Sequence, residues 1–193
     1  MYEFIRGDIA DLKPASVVVE AGGVGYFINI SLSTYSKING MKNTRLLIHQ
    51  VVREDAHILY GFADDSERGL FRNLISVNGV GAGTAIMMLS SLSTDEIRAA
   101  VASGNANVLT AVKGIGSKTA QRIIIDLRDK IAQYAGGSQI LLSPDNTLQK
   151  ESLSALVMLG FAKKDAEKVV SKIIRENPEA SLESVIKQAL KRL

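Results

Sequence analysis

The chain is 193 residues long with no cysteine and no apolar run near the roughly 18 to 20 residues that cross a bilayer, which excludes a disulfide framework, a thiolate metal site and a helical membrane span. Its opening, MYEFIRGDIADL, lacks the basic, apolar and small-residue segments of a secretory signal, so a globular cytoplasmic protein is expected. The formal net charge is only +3, with 6 basic and 7 acidic side chains in residues 1–64, 8 and 6 in 65–135, and 9 and 7 in 136–193, so a polyanion would have to be met by a few cations beside backbone donors.

Residues 1–63 read as short strands. Tyr2 to Asp11 alternates apolar and polar residues, Ser16 to Glu20 is β-branched, Ala21-Gly22-Gly23 is a turn, and Gly25 to Ile30 alternates again. A polar connection with room for one helical turn, Ser33 to Lys37, leads to two more runs, Thr44 to Val52 and Ala56 to Phe62, parted by Arg53, Glu54 and Asp55. Five strands without a helix long enough to cover a parallel sheet predict a small closed antiparallel barrel of the OB-fold type, with an open meander as the alternative.

At Asp64-Asp65-Ser66 the period changes from two to 3.6, and a helix cap runs into Leu70, Phe71, Leu74 and Ile75, which predicts a helical domain over 64–135. Within it Ile86 to Leu89 follows a first glycine turn. Ser93-Thr94-Asp95-Glu96 then caps a helix to about Ala102, and Gly104-Asn105 ends it and caps Val108 to Val112. A second glycine turn opens the longest helix, Ser117 to about Tyr134. Residues 136–146, GGSQILLSPDN, read as a flexible linker, although Ile140, Leu141 and Leu142 could dock. Three helices over 147–193 follow, Thr147 to Leu159, Lys163 to Arg175 and Ser181 to Leu193, enough for a small bundle. The expected fold class is α+β and multidomain.

The strongest local signal is VKGIGSKTAQRIIIDL, Val112 to Leu127, with a weaker copy, VNGVGAGTAIMML, 35 residues upstream. In each, a helix opens out of a glycine turn, as in a pair of helix-hairpin-helix motifs. The first amides of a helix lack intrahelical partners and sit at the positive end of its dipole. Gly114 and Gly116 permit positive φ and remove Cβ atoms, so a phosphate can rest on the amides of Ile115, Gly116, Ser117 and Lys118, with Arg122 on the same face at i+4. Gly79, Val80, Gly81 and Gly83 form the corresponding set of the first copy, which has no cation. A lone Gly-x-Gly reads as well as a tight helix–helix turn; two copies between helices favour the phosphate reading.

Rival chemistries fit poorly. GIGSKT ends like a P-loop, but Ser117 and Val112 stand where that motif needs glycine, and Gly79, Gly81 and Gly83 do not give Gly-x-Gly-x-x-Gly. His49 and His57 read as surface or cross-strand residues, and adjacent Glu54 and Asp55 as the solvated tip of a hairpin. Neither a catalytic centre nor a cofactor is expected.

GGVGY (22–26), VVREDAHILYGF (51–62), NGVG (78–81), KGIGSKTAQR (113–122) and ALVMLGF (155–161), in that order and spacing, resemble the RuvA family of bacterial subunits that recognise Holliday junctions. The resemblance covers all three segments. It implies an OB-like barrel, a tandem helix-hairpin-helix domain and a tethered three-helix domain, assembled as a four-fold homotetramer or as two tetramers face to face. It also implies four-way junction DNA as ligand, and the hexameric ATPase RuvB and the resolvase RuvC as partners. On that resemblance Glu54 and Asp55 match the family's acidic pin near the four-fold axis. Leu156, Leu159 and Phe161 match its apolar contact for RuvB, with Phe161 expected exposed and Leu156 equally readable as bundle core. Two departures stand out: Gly83 and Ser117 replace lysines common in the family, and the linker is shorter than in some relatives. The alternatives are a general duplex or single-strand binder, and a metal-dependent nuclease using Glu54 and Asp55.

Overall fold

Alternating side chains build the first element of the fold. Five strands, β1 (Phe4–Lys13), β2 (Ser16–Ala21), β3 (Val24–Ile30), β4 (Asn43–Val52) and β5 (His57–Phe62), surround a core of Ile5, Val17, Val19, Ile28, Ile30, Leu46 and Ile48 from the first four, with Leu59 of β5 packed against it. These close into a barrel in the order β1-β2-β3-β5-β4. The computed structural model describes the backbone of residues 1–135, 144–178 and 180–193, with side chains over 1–128, 147–178 and 180–193.

β1 serves two neighbours. Phe4 to Asp8 pairs with β4, Asp8 to Lys13 pairs with β2, and a bulge between Ile9 and Asp11 turns the strand from one to the other. Gly7 sits where β1 has no room for a side chain: a Cβ there would fall 1.9 Å from the Glu20 carbonyl oxygen. One expectation needs correction, because the barrel is not wholly antiparallel. β3 and β5 run parallel, with Ile28 opposite Leu59 and Ile30 opposite Gly61. A closed ring of five strands cannot alternate direction all the way round, so at least one seam must be parallel.

Between β3 and β4 lies α1 (Leu32–Ile38), capped by Ser31, whose hydroxyl accepts from the Thr34 amide; its Ile38 joins the barrel core. After β5 the chain enters α2 (Asp65–Ile75), α3 (Ala82–Ser91), α4 (Thr94–Ser103), α5 (Ala106–Thr110) and α6 (Ser117–Ala135). Asp64 caps α2, and Ser93 with Glu96 forms a complete capping box on α4. Phe62, Phe71, Leu74, Met88, Leu109, Ile123 and Leu127 are central to the core of these helices.

Two buried clusters are among the contacts that fasten barrel and helices together. The Phe71 ring packs against Phe62 at 4.9 Å and Tyr60 at 5.2 Å. Beside it Glu67 is fully buried, and its carboxylate accepts from the Ser31 hydroxyl and, at 2.8 Å, from the Thr34 hydroxyl. The Thr34 hydroxyl accepts in turn from the Ala63 amide, so the buried carboxylate is satisfied from the barrel side.

The chain divides into two compact units, Met1–Gly137 and Ser138–Leu193. The second holds α7 (Pro144–Met158), α8 (Lys163–Glu176) and α9 (Leu182–Arg192) around Leu156, Ala166, Val170, Ile173, Val185 and Ala189. α7 begins at Pro144, three residues before the expected Thr147, because proline is tolerated in the first helical turn, where its missing N–H costs nothing. Residues 136–143 of the expected linker, including Ile140, Leu141 and Leu142, lie outside the described residues.

Candidate nucleic-acid interface

The two glycine turns have the same geometry. In the first, Val77 N donates to Leu74 O at 3.1 Å, Val80 N to Val77 O at 3.0 Å, and Ala85 N to Gly81 O at 2.9 Å. In the second, Val112 N donates to Leu109 O at 3.2 Å, Ile115 N to Val112 O at 3.1 Å, and Ala120 N to Gly116 O at 2.9 Å. Every bond recurs 35 residues later, and Gly79 and Gly114 both have φ of 92°. That left-handed conformation is where glycine is needed.

The pattern corrects part of the sequence reading. The amides of Val80 and Ile115 are spent inside the turns, and both side chains are buried, so these residues peg the turns into the core and offer no donor to a ligand. The free amides belong to the first turn of each following helix: Ala82, Gly83 and Thr84 on α3, and Ser117, Lys118 and Thr119 on α6. Gly81, before α3, supplies no side-chain cap. Gly81, Gly83 and Gly116 are exposed, with open space where a Cβ would stand, so a phosphate could approach both helix starts.

Lys118 and Arg122 are exposed on α6, as expected, but they do not form one cluster around the second turn. Arg122 Nη1 donates to the Asn78 carbonyl at 3.3 Å, in the first turn. Sequence reasoning missed this contact. The 35-residue register would have shown that Arg122 stands where the first copy has Met87, yet the period itself cannot show which way the side chain leans.

Glu54 and Asp55 lie at the bend joining β4 to β5, where the Arg53 amide donates to the Ala56 carbonyl at 2.8 Å. Both are exposed, and among the described residues neither carboxylate has a cation within ion-pair distance. Among the described residues, too, no group of three or more His, Cys, Asp or Glu could hold a metal ion. His49 lies across from Tyr60 and packs edge-on against Phe71 at 5.3 Å, and its Nδ1 is buried without a partner. Burial first, and then the charges of Arg72 and Arg68, hold its pKa below the ordinary value. His57 is exposed.

In the C-terminal unit the three apolar residues separate. Leu156 is fully buried in the bundle core, and so is not available to a partner. Leu159 is 60% exposed, beside Met158 at 86%. Phe161, expected exposed, is half-buried against the core. The cause is the helix ending: Phe161 N donates to Leu156 O at 3.1 Å and Gly160 N to Val157 O at 3.0 Å, with Gly160 at φ of 98°. This Schellman arrangement folds the residue after the glycine back onto the last turn of α7.

Family models match the chain in three stretches: the RuvA N terminal domain over residues 1–61, the SAM-like helix-hairpin-helix tandem over 71–129, and the RuvA C-terminal domain over 147–193. The chain is 52% identical to a protein of Bacteroides thetaiotaomicron named Holliday junction branch migration complex subunit RuvA, over the whole of both chains. Proteins of the same name from Christiangramia forsetii and Flavobacterium psychrophilum are 49% and 46% identical, again over the whole of both chains. With such similarity along its entire length, the chain belongs to the RuvA family.

Proposed function

We propose that this chain is the non-catalytic, junction-binding subunit of a branch migration complex in DNA recombination and repair. The observation that carries the reading is the pair of glycine turns with the same hydrogen bonds and the same glycine φ, each leaving a helix start open to a phosphate, in a chain whose full-length relatives are named for Holliday junction branch migration. Gly79, Gly81 and Gly83, and Gly114, Gly116, Ser117, Lys118 and Arg122, grip the DNA backbone. Contact with backbone and not with base edges suits the task, because branch migration must pass through any sequence.

Four copies in a closed cyclic homotetramer, or eight in two such rings, offer equivalent grooves to the four arms of a junction through one repeated interface. Glu54 and Asp55 of each copy gather near the axis and repel phosphates there, which keeps the crossing open. The C-terminal helices, with Leu159 exposed, engage the hexameric ATPase RuvB, and the resolvase RuvC acts on the same cytoplasmic complex. A competition gel shift tests the reading. A four-way junction should be bound far more tightly than linear duplex of equal length and sequence, and equal affinity for the two would make the chain a general DNA-binding scaffold.

A further inference from the structure

Arg122 looks, by sequence, like the second cation of the second turn, one helical turn beyond Lys118. Its guanidinium goes elsewhere. Nη1 is bonded to the carbonyl of Asn78, the residue before Gly79, and lies 4.0 Å from where a Cβ on Gly79 would stand. The side chain of α6 therefore leans over the first turn.

The first turn lacks a cation of its own. α3, AGTAIMMLSS, contains no lysine or arginine. In the 35-residue register, Gly83 stands where α6 has Lys118 and Met87 where α6 has Arg122. A phosphate on the α3 amides would thus meet only peptide dipoles unless a charge came from another element.

We infer that Arg122 is the cation of the first turn: the guanidinium anchored on the Asn78 carbonyl is a ligand for the phosphate held by the α3 amides, while Lys118 serves the turn before α6. One of the roughly five guanidinium donors suffices for the carbonyl anchor, which leaves the rest of the fork for phosphate oxygens. Arg122 is exposed, and no carboxylate among the described residues pairs with it. Each turn then receives a cation from α6, and the second turn has Lys113 besides. This assignment rests on the proposed DNA-gripping role of the turns.

The test is a double-mutant cycle on the full chain with a labelled four-way junction, read by anisotropy across a salt series. Gly83→Lys puts a cation into the first turn at the position matching Lys118, where space is open. Arg122→Met copies the residue at the matching place in α3. Arg122→Met is expected to weaken binding roughly tenfold and to lower the salt slope by about one per subunit. Adding Gly83→Lys should return both toward the parent values, whereas Gly83→Lys alone should gain little, because its phosphate is already paired.

If Gly83→Lys gives the same fold-gain with and without Arg122, the two do not share a phosphate and the assignment is wrong. An affinity loss in Arg122→Met with an unchanged salt slope would make Arg122 a strut and not a ligand, and would also overturn it. The underlying reading fails differently: Lys118→Ala and Arg122→Met would then both bind junction DNA as the parent does, at every salt concentration.

Discussion

His49 illustrates what burial does to a single side chain. Its ring is wedged on Phe71 with Nδ1 unpartnered, and burial, aided by Arg72 and Arg68, depresses its pKa below 6.5. A depressed folded-state pKa means that the unfolded chain takes up the proton first. The contribution of His49 to stability is therefore present above the ordinary value and lost as pH falls through the folded one. Glu67 acts in the opposite sense, because burial raises its pKa against the opposing hydrogen bonds from Ser31 and Thr34. Its contribution is present at low pH and lost as pH rises through the raised value. Comparing a variant with the parent isolates the histidine: His49→Leu should flatten the fall in melting temperature between about pH 7.5 and about pH 5.5. An identical fall in both proteins would show that another group is responsible. The histidine was legible as a strand residue, but its burial was not, because α2 covers it from a distant part of the sequence.

At the scale of elements, periodicity and caps did most of the work. Asp64, Ser93 and Gly104 each end or begin a helix as their chemistry demands, and the strand starts fall within two residues of the alternation that announced them. Errors arose where a local rule met a non-local one. The parallel seam between β3 and β5 follows from closing an odd ring, which no single strand encodes. Leu156, Leu159 and Phe161 were all matched to one apolar contact, with Leu156 equally readable as core and Phe161 expected exposed, and the end of α7 sorted them into core, surface and a ring folded back over the turn. Leu156→Ala should cost the three-helix unit about 2–5 kcal/mol. Leu159→Ala should leave its melting almost unchanged, within about 0.5 kcal/mol, while weakening binding of the ATPase. Calorimetry and a pull-down with the ATPase would check both. Equal destabilisation by the two variants would contradict the separation.

The whole molecule places opposite charges at different tasks. Cations and open amides sit on the helical domain, and Glu54 and Asp55 sit exposed at the bend between two barrel strands. In an isolated chain such a bend is screened by solvent and contributes little; crowded with its copies around a DNA crossing it would repel phosphate at short range. The pair Glu54→Gln and Asp55→Asn should therefore leave junction affinity equal or tighter while altering ATPase-driven migration. A large loss of affinity in a gel shift would show that the two carboxylates help to hold the junction instead.

The sequence alone determined the strands, the helices, the two glycine turns and their 35-residue repeat, because each depends on residues close in the chain: alternation, caps, and glycine where φ must be positive. The tertiary structure alone decided which amides of the turns remain free, that Glu67 is sealed against Ser31 and Thr34, and that Arg122 reaches the first turn. These are contacts between residues 33 to 44 positions apart, or bonds spent within a turn whose closure the core enforces. Local preference sets what each segment can form. Packing sets which of its polar groups are left over to bind something else.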